Sequence, residues 1–231
     1  VGISEHDIVV MAEVSPYINC LPNRAGDPSP WASLSVFHSM LPAIEEVFGS
    51  SEIKGRTFAI KGIGKVGGEL VRLIYERGGG VILSDLNENR LKEFKKKYPG
   101  IKIVSPAEIH KEVVDVYSPC ALGGEFNKKT ISELNCKIIC GAANNQLVSE
   151  EHGDLIKEKG ILYIPDFLAN SGGLINVVEG MKKDGYKKER VLKKIEKVKD
   201  TVRKVIHLSK NKNISTSRVA SELVRKIINK K

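Results

Sequence analysis

A glycine-rich segment with the spacing Gly-x-Gly-x-x-Gly occupies residues 62–67. It follows an apolar run at residues 57–60 and precedes a helical pattern, and Asp85 ends the next apolar run. Glycines at this spacing allow a tight turn and a close approach of the backbone to a pyrophosphate, while the acidic residue can accept hydrogen bonds from a ribose. The pattern therefore predicts a dinucleotide-binding site.

The neighbouring sequence strengthens this interpretation, because a glycine-rich turn alone is also common for purely structural reasons. A helix is predicted over residues 65–77, the glycines at 78–80 end it, and a strand follows at 81–84. This is the length of a βαβ unit. Since the carboxylate of Asp85 would repel a 2′-phosphate by like charge, we expect NAD rather than NADP as the cofactor.

Short apolar runs alternate with helical patterns along the middle of the chain. The predicted strands cover residues 57–60, 81–84, 102–104, 114–117, 137–140 and 161–164. This alternation predicts an α/β fold of the Rossmann type, with a doubly wound, mainly parallel sheet. Polar, glycine-rich segments follow the last three strands, at residues 118–124, 141–147 and 165–173. Ligands of such sheets bind at the carboxyl ends of the strands, so we expect these segments to line one crevice.

The net charge of +9 is concentrated near the C-terminus, where residues 182–231 contain 18 Lys and Arg but 5 Asp and Glu. Apolar residues recur at helical spacing over 191–209 and 217–228, which predicts two amphipathic helices packing on the body. A nucleic-acid surface is the alternative. Because Tyr186 is the only aromatic residue there, we favour solvated basic helices and expect no nucleic-acid partner.

Other residue classes favour an ordinary soluble protein. The spacing of the four cysteines fits neither a metal site nor a small disulfide framework, so we expect reduced thiols. The five histidines are scattered, and no metal site is expected. No apolar stretch reaches the roughly 18 residues of a membrane span, and the N-terminus lacks a signal pattern. We expect a cytoplasmic protein without membrane contact.

Several longer motifs carry a family resemblance. They lie at residues 26–30, 62–67, 119–123, 141–147, 152–154, 165–166 and 172–177. The chain resembles the nucleotide-binding half of the glutamate/leucine/phenylalanine/valine dehydrogenase family, most closely its leucine dehydrogenase branch. The resemblance implies reversible oxidative deamination of an L-amino acid by NAD, giving a 2-oxo acid, ammonia and NADH. A non-catalytic NAD-binding or interaction module derived from that family is the alternative.

The resemblance also implies roles for individual residues. The residues assigned to the cofactor are Gly62, Gly64, Lys65, Val66, Gly67, Asp85, Leu86, Cys120, Ala121, Asn144 and Asn170. Among them, Cys120, Ala121, Asn144 and Asn170 would line the nicotinamide side. Asn145 would lie near the substrate carboxylate. Leu174 and Val177 would contact the substrate side chain, and their apolar character favours an aliphatic substrate over glutamate.

The family's catalytic lysine and aspartate belong to a preceding domain, and no Gly-Gly-Gly-Lys-like stretch occurs here. The start at Val1 rather than at methionine favours a fragment. We therefore expect residues 1–30 to be a remnant of the interdomain hinge, 31–181 the dinucleotide-binding domain, and 182–231 the basic helices. A chain carrying the missing substrate domain is an expected partner, and a homodimer remains open.

Two departures from the family's pattern concern the segment after residue 30. Ala32 stands where the family usually has a threonine that bonds the nicotinamide carboxamide, and Ser33 is a candidate to replace this contact in part. Ser35 and Ser39 stand where the family has glycines. We therefore expect weaker nicotinamide binding and altered local packing.

Overall fold

A six-stranded sheet forms the centre of the computed structural model, which describes residues 3–15, 17–22 and 24–229. The strands are β1 Thr57–Lys61, β2 Gly80–Ser84, β3 Lys102–Ile103, β4 Val114–Pro119, β5 Cys136–Ile139 and β6 Leu162–Tyr163. All neighbours are parallel, in the order β3-β2-β1-β4-β5-β6. The predicted Rossmann-type α/β fold is confirmed, and the strands differ from the predicted ones only at their ends.

Helices cover both faces of the sheet. They are α1 Glu5–Val14, α2 Ser29–Phe48, α3 Lys65–Tyr75, α4 Glu88–Lys97, α5 Lys128–Glu133, α6 Glu150–Glu158, α7 Asp166–Ala169, α8 Gly172–Gly180, α9 Lys188–Glu196, α10 Val198–Lys212 and α11 Thr216–Ile228. A helix that is long and apolar enough for a membrane span does not occur in the described ranges.

The sheet is buried on both faces, as its continuous apolar strands predict. Along β1, Phe58 and Ile60 belong to one buried cluster with residues of α2, α3 and α10. Ala59 points to the other face and joins a cluster under α5 and α6. Because side chains alternate along a strand, this arrangement fixes the register of β1 and holds its carboxyl end, where the glycine segment begins, in one position.

The basic C-terminal segment folds as three helices, so the prediction of two was wrong. Lys197 separates α9 from α10, but its backbone stays close to helical values, with φ −69° and ψ −12°. The apolar spacing therefore continues through the break, and Val191, Ile195 and Val202 all remain buried. A pattern of side chains cannot reveal a break that leaves the periodicity unchanged.

The last helix is fastened to the body by the segment His152-Gly153-Asp154. Arg218 of α11 pairs with the Asp154 carboxylate at 2.7 Å, and the Ser215 hydroxyl donates to the same carboxylate at 2.7 Å. A side chain at Gly153 would collide with Ser217. The side chain of His152 accepts the Ser149 N–H at 3.2 Å and caps α6.

The segment predicted as a hinge remnant contains a helix of its own. Ser4 and Asp7 form a capping box at the start of α1, which has no buried residue. The helix α2 begins at Ser29, so the expected boundary between residues 30 and 31 falls inside its first turn. Pro30 lies in that turn, where a proline is favourable. The parts of the terminal predictions at residues 1, 2, 16, 23, 230 and 231 lie outside the described residues.

Candidate functional site

A crevice of about 1100 Å³ opens at the carboxyl ends of the strands, beside the loops that follow β1, β2 and β4. The strand order reverses between β1 and β4, which is the position where doubly wound sheets bind ligands. The predicted cofactor residues that line the crevice are Gly62, Gly64, Lys65, Val66, Asp85, Leu86, Cys120 and Ala121. Three strand ends, distant in sequence, thus contribute to one cavity.

The three glycines of the motif differ in what surrounds them. Gly62 has a φ of +89°, and a Cβ there would lie 2.9 Å from the Cβ of Ala121. A Cβ on Gly67 would overlap the carbonyl oxygen of Gly62. Around Gly64, which caps α3, nothing lies within 4 Å of such an atom. Gly62 therefore makes the turn, Gly67 allows the helix to pack, and Gly64 leaves space for a ligand.

Asp85 is held against the glycine loop by backbone hydrogen bonds. The Ile63 N–H donates to its Oδ2 at 2.7 Å, and the Asn87 N–H donates to its Oδ1 at 2.8 Å. The side chain is only 12% exposed. A carboxylate has about four acceptor positions, so this one can still accept ribose hydroxyls. Arg90, which no sequence motif indicated, lies 3.7 Å from Oδ2 and also lines the crevice.

A partly buried ionic cluster that the sequence did not reveal lies beside the glycine loop. The Lys61 ammonium contacts both carboxylate oxygens of Glu125, at 3.0 and 2.7 Å, and the Tyr117 hydroxyl donates to Glu125 at 2.5 Å. Burial, followed by the charge of Glu125, raises the pKa of Tyr117 well above its usual value, so its hydroxyl stays a donor. Lys61 lies 64 residues before Glu125, so no local pattern could have revealed their pairing.

The lysine inside the glycine motif is also paired. The Lys65 ammonium lies 3.0 Å from Oδ2 of Asp27, a half-buried residue before α2. The side chain of Asp27 also accepts the Ser29 N–H at 2.9 Å. This ion pair fastens the start of α3 to the start of α2. Neither Lys61 nor Lys65 therefore offers a free amine inside the crevice.

Asn144 and Asn170, which were expected near the nicotinamide, and Asn145, which was expected near the substrate carboxylate, form a second group. The amide of Asn170 donates to Oδ1 of Asn144 at 2.6 Å and to the carbonyl of Ala142 at 3.1 Å. Asn145 is exposed and has a positive φ of 53°, and its carbonyl accepts the Gly124 N–H at 2.8 Å. The loops after β4, β5 and β6 are thus linked to one another. This second group does not line the crevice described above.

The predicted substrate-side residues lie on α8. Leu174 is 67% exposed and Val177 is half-buried. The helix approaches α2 closely, because a Cβ on Gly172 would overlap the carbonyl of Trp31. The Ser35 hydroxyl lies 3.4 Å from that of Ser171 in the same contact. The start of α8 is therefore positioned by direct packing on α2.

Ser33 cannot replace the threonine hydroxyl that is missing at position 32, so the expectation that it would do so in part was wrong. Its side chain is fully buried, with the hydroxyl 3.0 Å from the Ser29 carbonyl and 2.8 Å from the Val66 carbonyl. A hydroxyl has one proton to donate, and both acceptors that compete for it belong to the backbone. The sequence could not show this, because neighbouring helical residues point in different directions.

The four cysteines are not joined by disulfides in the described part of the chain. The free thiols are those of Cys20, Cys120, Cys136 and Cys140. Burial raises the pKa of Cys136 to about 12 and also raises the pKa of Cys120, so both stay protonated at neutral pH. Within the described part of the chain, no group of three or more His, Cys, Asp or Glu residues is arranged to hold a metal ion.

Comparisons with known proteins agree with the motifs. The chain is 40% identical to phenylalanine dehydrogenase of Thermoactinomyces intermedius, covering 99% of this chain and 63% of that protein. It is 36% identical to leucine dehydrogenase of Bacillus cereus, covering 99% of this chain and 62% of that protein. The chain therefore spans less than two thirds of the length of these relatives.

Solved structures match the fold. L-tryptophan dehydrogenase from Nostoc punctiforme superposes with a TM-score of 0.84 at 38% identity, over 88% of this chain and 61% of that one. The hetero-hexameric glutamate dehydrogenase of Thermus thermophilus superposes with a TM-score of 0.73 over 97% of this chain and 61% of that one, but at 17% identity it supports the fold alone. The family model described as Glutamate/Leucine/Phenylalanine/Valine dehydrogenase matches residues 82–227, more than half of the sequence. The resemblance inferred from the motifs is therefore confirmed, and the chain belongs to the glutamate/leucine/phenylalanine/valine dehydrogenase family.

Proposed function

We propose that this chain binds NAD and forms the nucleotide-binding part of an enzyme that oxidatively deaminates an L-amino acid to a 2-oxo acid and ammonia, reversibly. The observation that carries the proposal is the hydrogen bond from Ile63 N–H to Asp85, 2.7 Å long. It fixes a ribose-binding carboxylate against the glycine loop, at the strand ends where a dinucleotide binds. Membership of the dehydrogenase family supports the reaction class.

The crevice fits an NAD molecule in its charge and its space. Gly64 leaves room at the N-terminus of α3, where backbone N–H groups and the helix dipole favour a pyrophosphate. The Asp85 carboxylate would accept the ribose hydroxyls and repel a 2′-phosphate, which favours NAD over NADP. When bound, the cofactor supplies the hydride acceptor. The protein must then hold the substrate α-carbon close to the nicotinamide.

The second group of residues, together with Cys120 and Ala121 of the crevice, would serve the nicotinamide and the substrate. We assign Cys120, Ala121, Asn144 and Asn170 to the nicotinamide side and Asn145 to the substrate carboxylate. The link from Asn170 to Asn144 supports this assignment, because it leaves the Asn144 amide free to donate and the Asn170 oxygen free to accept.

An aliphatic substrate is proposed on the character of α8. Leu174 and Val177 are apolar and lie three residues apart, so they share one side of the helix. Neither offers a charge to a γ-carboxylate, which disfavours glutamate. Leucine or another branched-chain amino acid is therefore the proposed substrate.

The base that takes protons from the substrate amine is proposed to lie outside residues 1–231. A catalytic base must lie within hydrogen-bonding reach of the proton that it takes. Lys61 and Lys65 are instead engaged by carboxylates, at 2.7 Å from Glu125 and 3.0 Å from Asp27. We therefore propose a separate substrate domain carrying the family's lysine and aspartate. In this division residues 1–30 belong to the hinge, 31–181 bind the nucleotide, and 182–231 support the fold.

We propose a cellular location and partners that fit the same function. Free cysteines fit a reducing compartment, which supports a cytoplasmic location. An amino acid and a substrate domain are the proposed partners. A homodimer of this chain is the alternative assembly, and size-exclusion chromatography with light scattering distinguishes them. We propose no role for nucleic acid or for a membrane.

The test combines binding with turnover. Residues 1–231 are titrated with NADH and NADPH by fluorescence and calorimetry, and NAD reduction is then assayed with leucine, valine and phenylalanine. The expected result is micromolar NADH binding without turnover by this chain, and turnover once the family's substrate domain is supplied. Failure to bind either nucleotide would refute the cofactor site. Robust turnover by this chain alone would refute the assignment of the base to another domain.

A further inference from the structure

Among the residues that the structure describes, three cations line the crevice. Each lies near a carboxylate, but one of them is held differently. Lys61 lies 2.7 Å from Glu125 and Lys65 lies 3.0 Å from Asp27, both within hydrogen-bonding distance. Arg90 lies 3.7 Å from Asp85, which is outside it. Arg90 is therefore the loosely held cation of the crevice.

The carboxylate beside Arg90 already has other partners. Oδ2 of Asp85 accepts the Ile63 N–H and Oδ1 accepts the Asn87 N–H, both at distances below 3 Å. These backbone donors fix the carboxylate without help from the guanidinium. No hydrogen bond joins the guanidinium of Arg90 to any of the residues that the structure describes, and its side chain is 41% exposed. All its N–H donors are therefore available to a ligand.

The position of Arg90 follows from local structure. It is the third residue of α4, and its backbone N–H donates to the side chain of the capping residue Asn87 at 3.0 Å. Helical side chains lean toward the N-terminus of their helix, which directs Arg90 back toward the end of β2. The guanidinium and the Asp85 carboxylate are thereby brought to the same end of the crevice.

We propose that Arg90 helps to set the preference between NAD and NADP. Its guanidinium binds the 2′-phosphate of NADP and so offsets part of the repulsion between that phosphate and the Asp85 carboxylate. This inference rests on the proposed function, because Asp85 meets the 2′ position only if a dinucleotide occupies the crevice. The planar guanidinium donates two parallel hydrogen bonds to a phosphate, which suits it to this role. NADP(H) therefore binds more tightly than Asp85 alone would allow, while NAD(H) needs no contact with Arg90.

The matched control comes from the same helix. Lys92 lies two residues after Arg90, carries the same charge, is exposed, and does not line the crevice. Replacing Lys92 by alanine removes one positive charge from α4 without touching the proposed contact. Any effect that comes from net charge alone must appear in both variants.

The experiment measures dissociation constants of 5′-AMP, 2′,5′-ADP, NADH and NADPH for the parent chain and for the variants R90A, R90Q and K92A. We expect R90A and R90Q to bind 2′,5′-ADP and NADPH about tenfold more weakly, the loss of a charge-assisted contact. Their affinities for 5′-AMP and NADH should stay within about twofold of the parent, as should every affinity of K92A. Thermal unfolding of each variant verifies that it is folded.

The outcomes separate the two proposals. Equal losses of NADH and NADPH affinity in R90A, or an unchanged NADPH affinity in R90A and R90Q, would overturn the role of Arg90. Neither result would contradict the proposed cofactor site. Equal effects of R90A and K92A would assign the change to net charge and also overturn it. If the parent chain binds none of the four ligands, the proposed function itself fails.

Discussion

The adenosine end and the nicotinamide end of the proposed NAD path differ in what holds their polar groups. At the adenosine end, backbone N–H groups of Ile63 and Asn87 fix the Asp85 carboxylate. At the nicotinamide end, the groups are side chains, and the exposed Asn144 is fixed by a single amide contact from Asn170. Groups that are fixed before binding lose less freedom when a ligand arrives. We infer that the adenosine end supplies most of the affinity.

The same difference appears in the packing. Gly62 and Gly67 lie in close contact with the loop after β4, Gly62 against Ala121 and Gly67 against Cys120. On α8, by contrast, Leu174 lies mostly in solvent. Close packing transmits any added volume, whereas an exposed side chain can be changed at little cost. Substitutions should therefore have larger effects at the adenosine end.

The largest effect is expected for Gly67→Ala. The new methyl group would overlap the carbonyl oxygen of Gly62, so the loop or the helix must move. Overpacking of this kind costs roughly 1–3 kcal/mol of stability. We expect a lower denaturation midpoint and at least about a tenfold loss of NADH affinity, measured by chemical unfolding and titration.

Gly64→Ala is the matched control, because nothing lies within 4 Å of its added methyl group. Its stability should fall by no more than about 1 kcal/mol, the usual cost of alanine at a helix N-cap. NADH affinity should nevertheless fall strongly, since the methyl occupies space needed by the pyrophosphate. Parent-like stability and binding in Gly67→Ala would contradict the packing difference between the two ends.

The next effect is expected for Asp85→Asn, which keeps the size of the side chain but removes its charge. Loss of a charged acceptor should weaken NADH binding about tenfold. The affinity for NADPH should fall less or should rise, because the repulsion between the carboxylate and the 2′-phosphate disappears. Titration with both nucleotides gives the ratio of the NADH and NADPH dissociation constants. A variant that keeps the parent's ratio would show that Asp85 does not discriminate at the 2′ position.

The adenosine end was largely predictable from sequence, for a physical reason. Its key residues, Gly62 to Gly67 and Asp85, act through backbone conformation and position at strand ends. Both properties follow from glycine spacing and from apolar runs, which are local signals. The parallel sheet was predictable in the same way, since each strand is a short apolar run between helices.

Side-chain partners across the sheet were not predictable. Lys61 and Glu125 are separated by three strands in the chain, and their pairing depends on where both loops end in space. The direction of the Ser33 hydroxyl and the approach of Arg90 to Asp85 likewise depend on how helices are oriented. A single sequence contains no covariation from which such contacts could be inferred.

A smaller effect, confined to the nicotinamide end, is expected for Asn170→Ala. The substitution removes the donor to Asn144 and to the Ala142 carbonyl. Losing one neutral hydrogen bond costs about 1 kcal/mol, or about fivefold in affinity. We expect NADH to bind about fivefold more weakly and ADP-ribose, which lacks the nicotinamide, to bind as in the parent. Equal losses for both ligands would contradict the division of the path into two ends.

The smallest effect is expected for Ala32→Thr, which adds a hydroxyl to the nicotinamide end. Ala32 is half-buried near the start of α8, and Ser33 cannot supply this hydroxyl because both of its acceptors are backbone carbonyls. A new neutral hydrogen bond to the carboxamide should strengthen NADH binding about threefold and leave ADP-ribose unchanged. Ala32→Val is the matched control, since it adds the same volume without a donor. An equal gain in NADH affinity in both variants would show that the effect comes from packing rather than from the added hydroxyl. The nicotinamide end would then depend on close packing, as the adenosine end does.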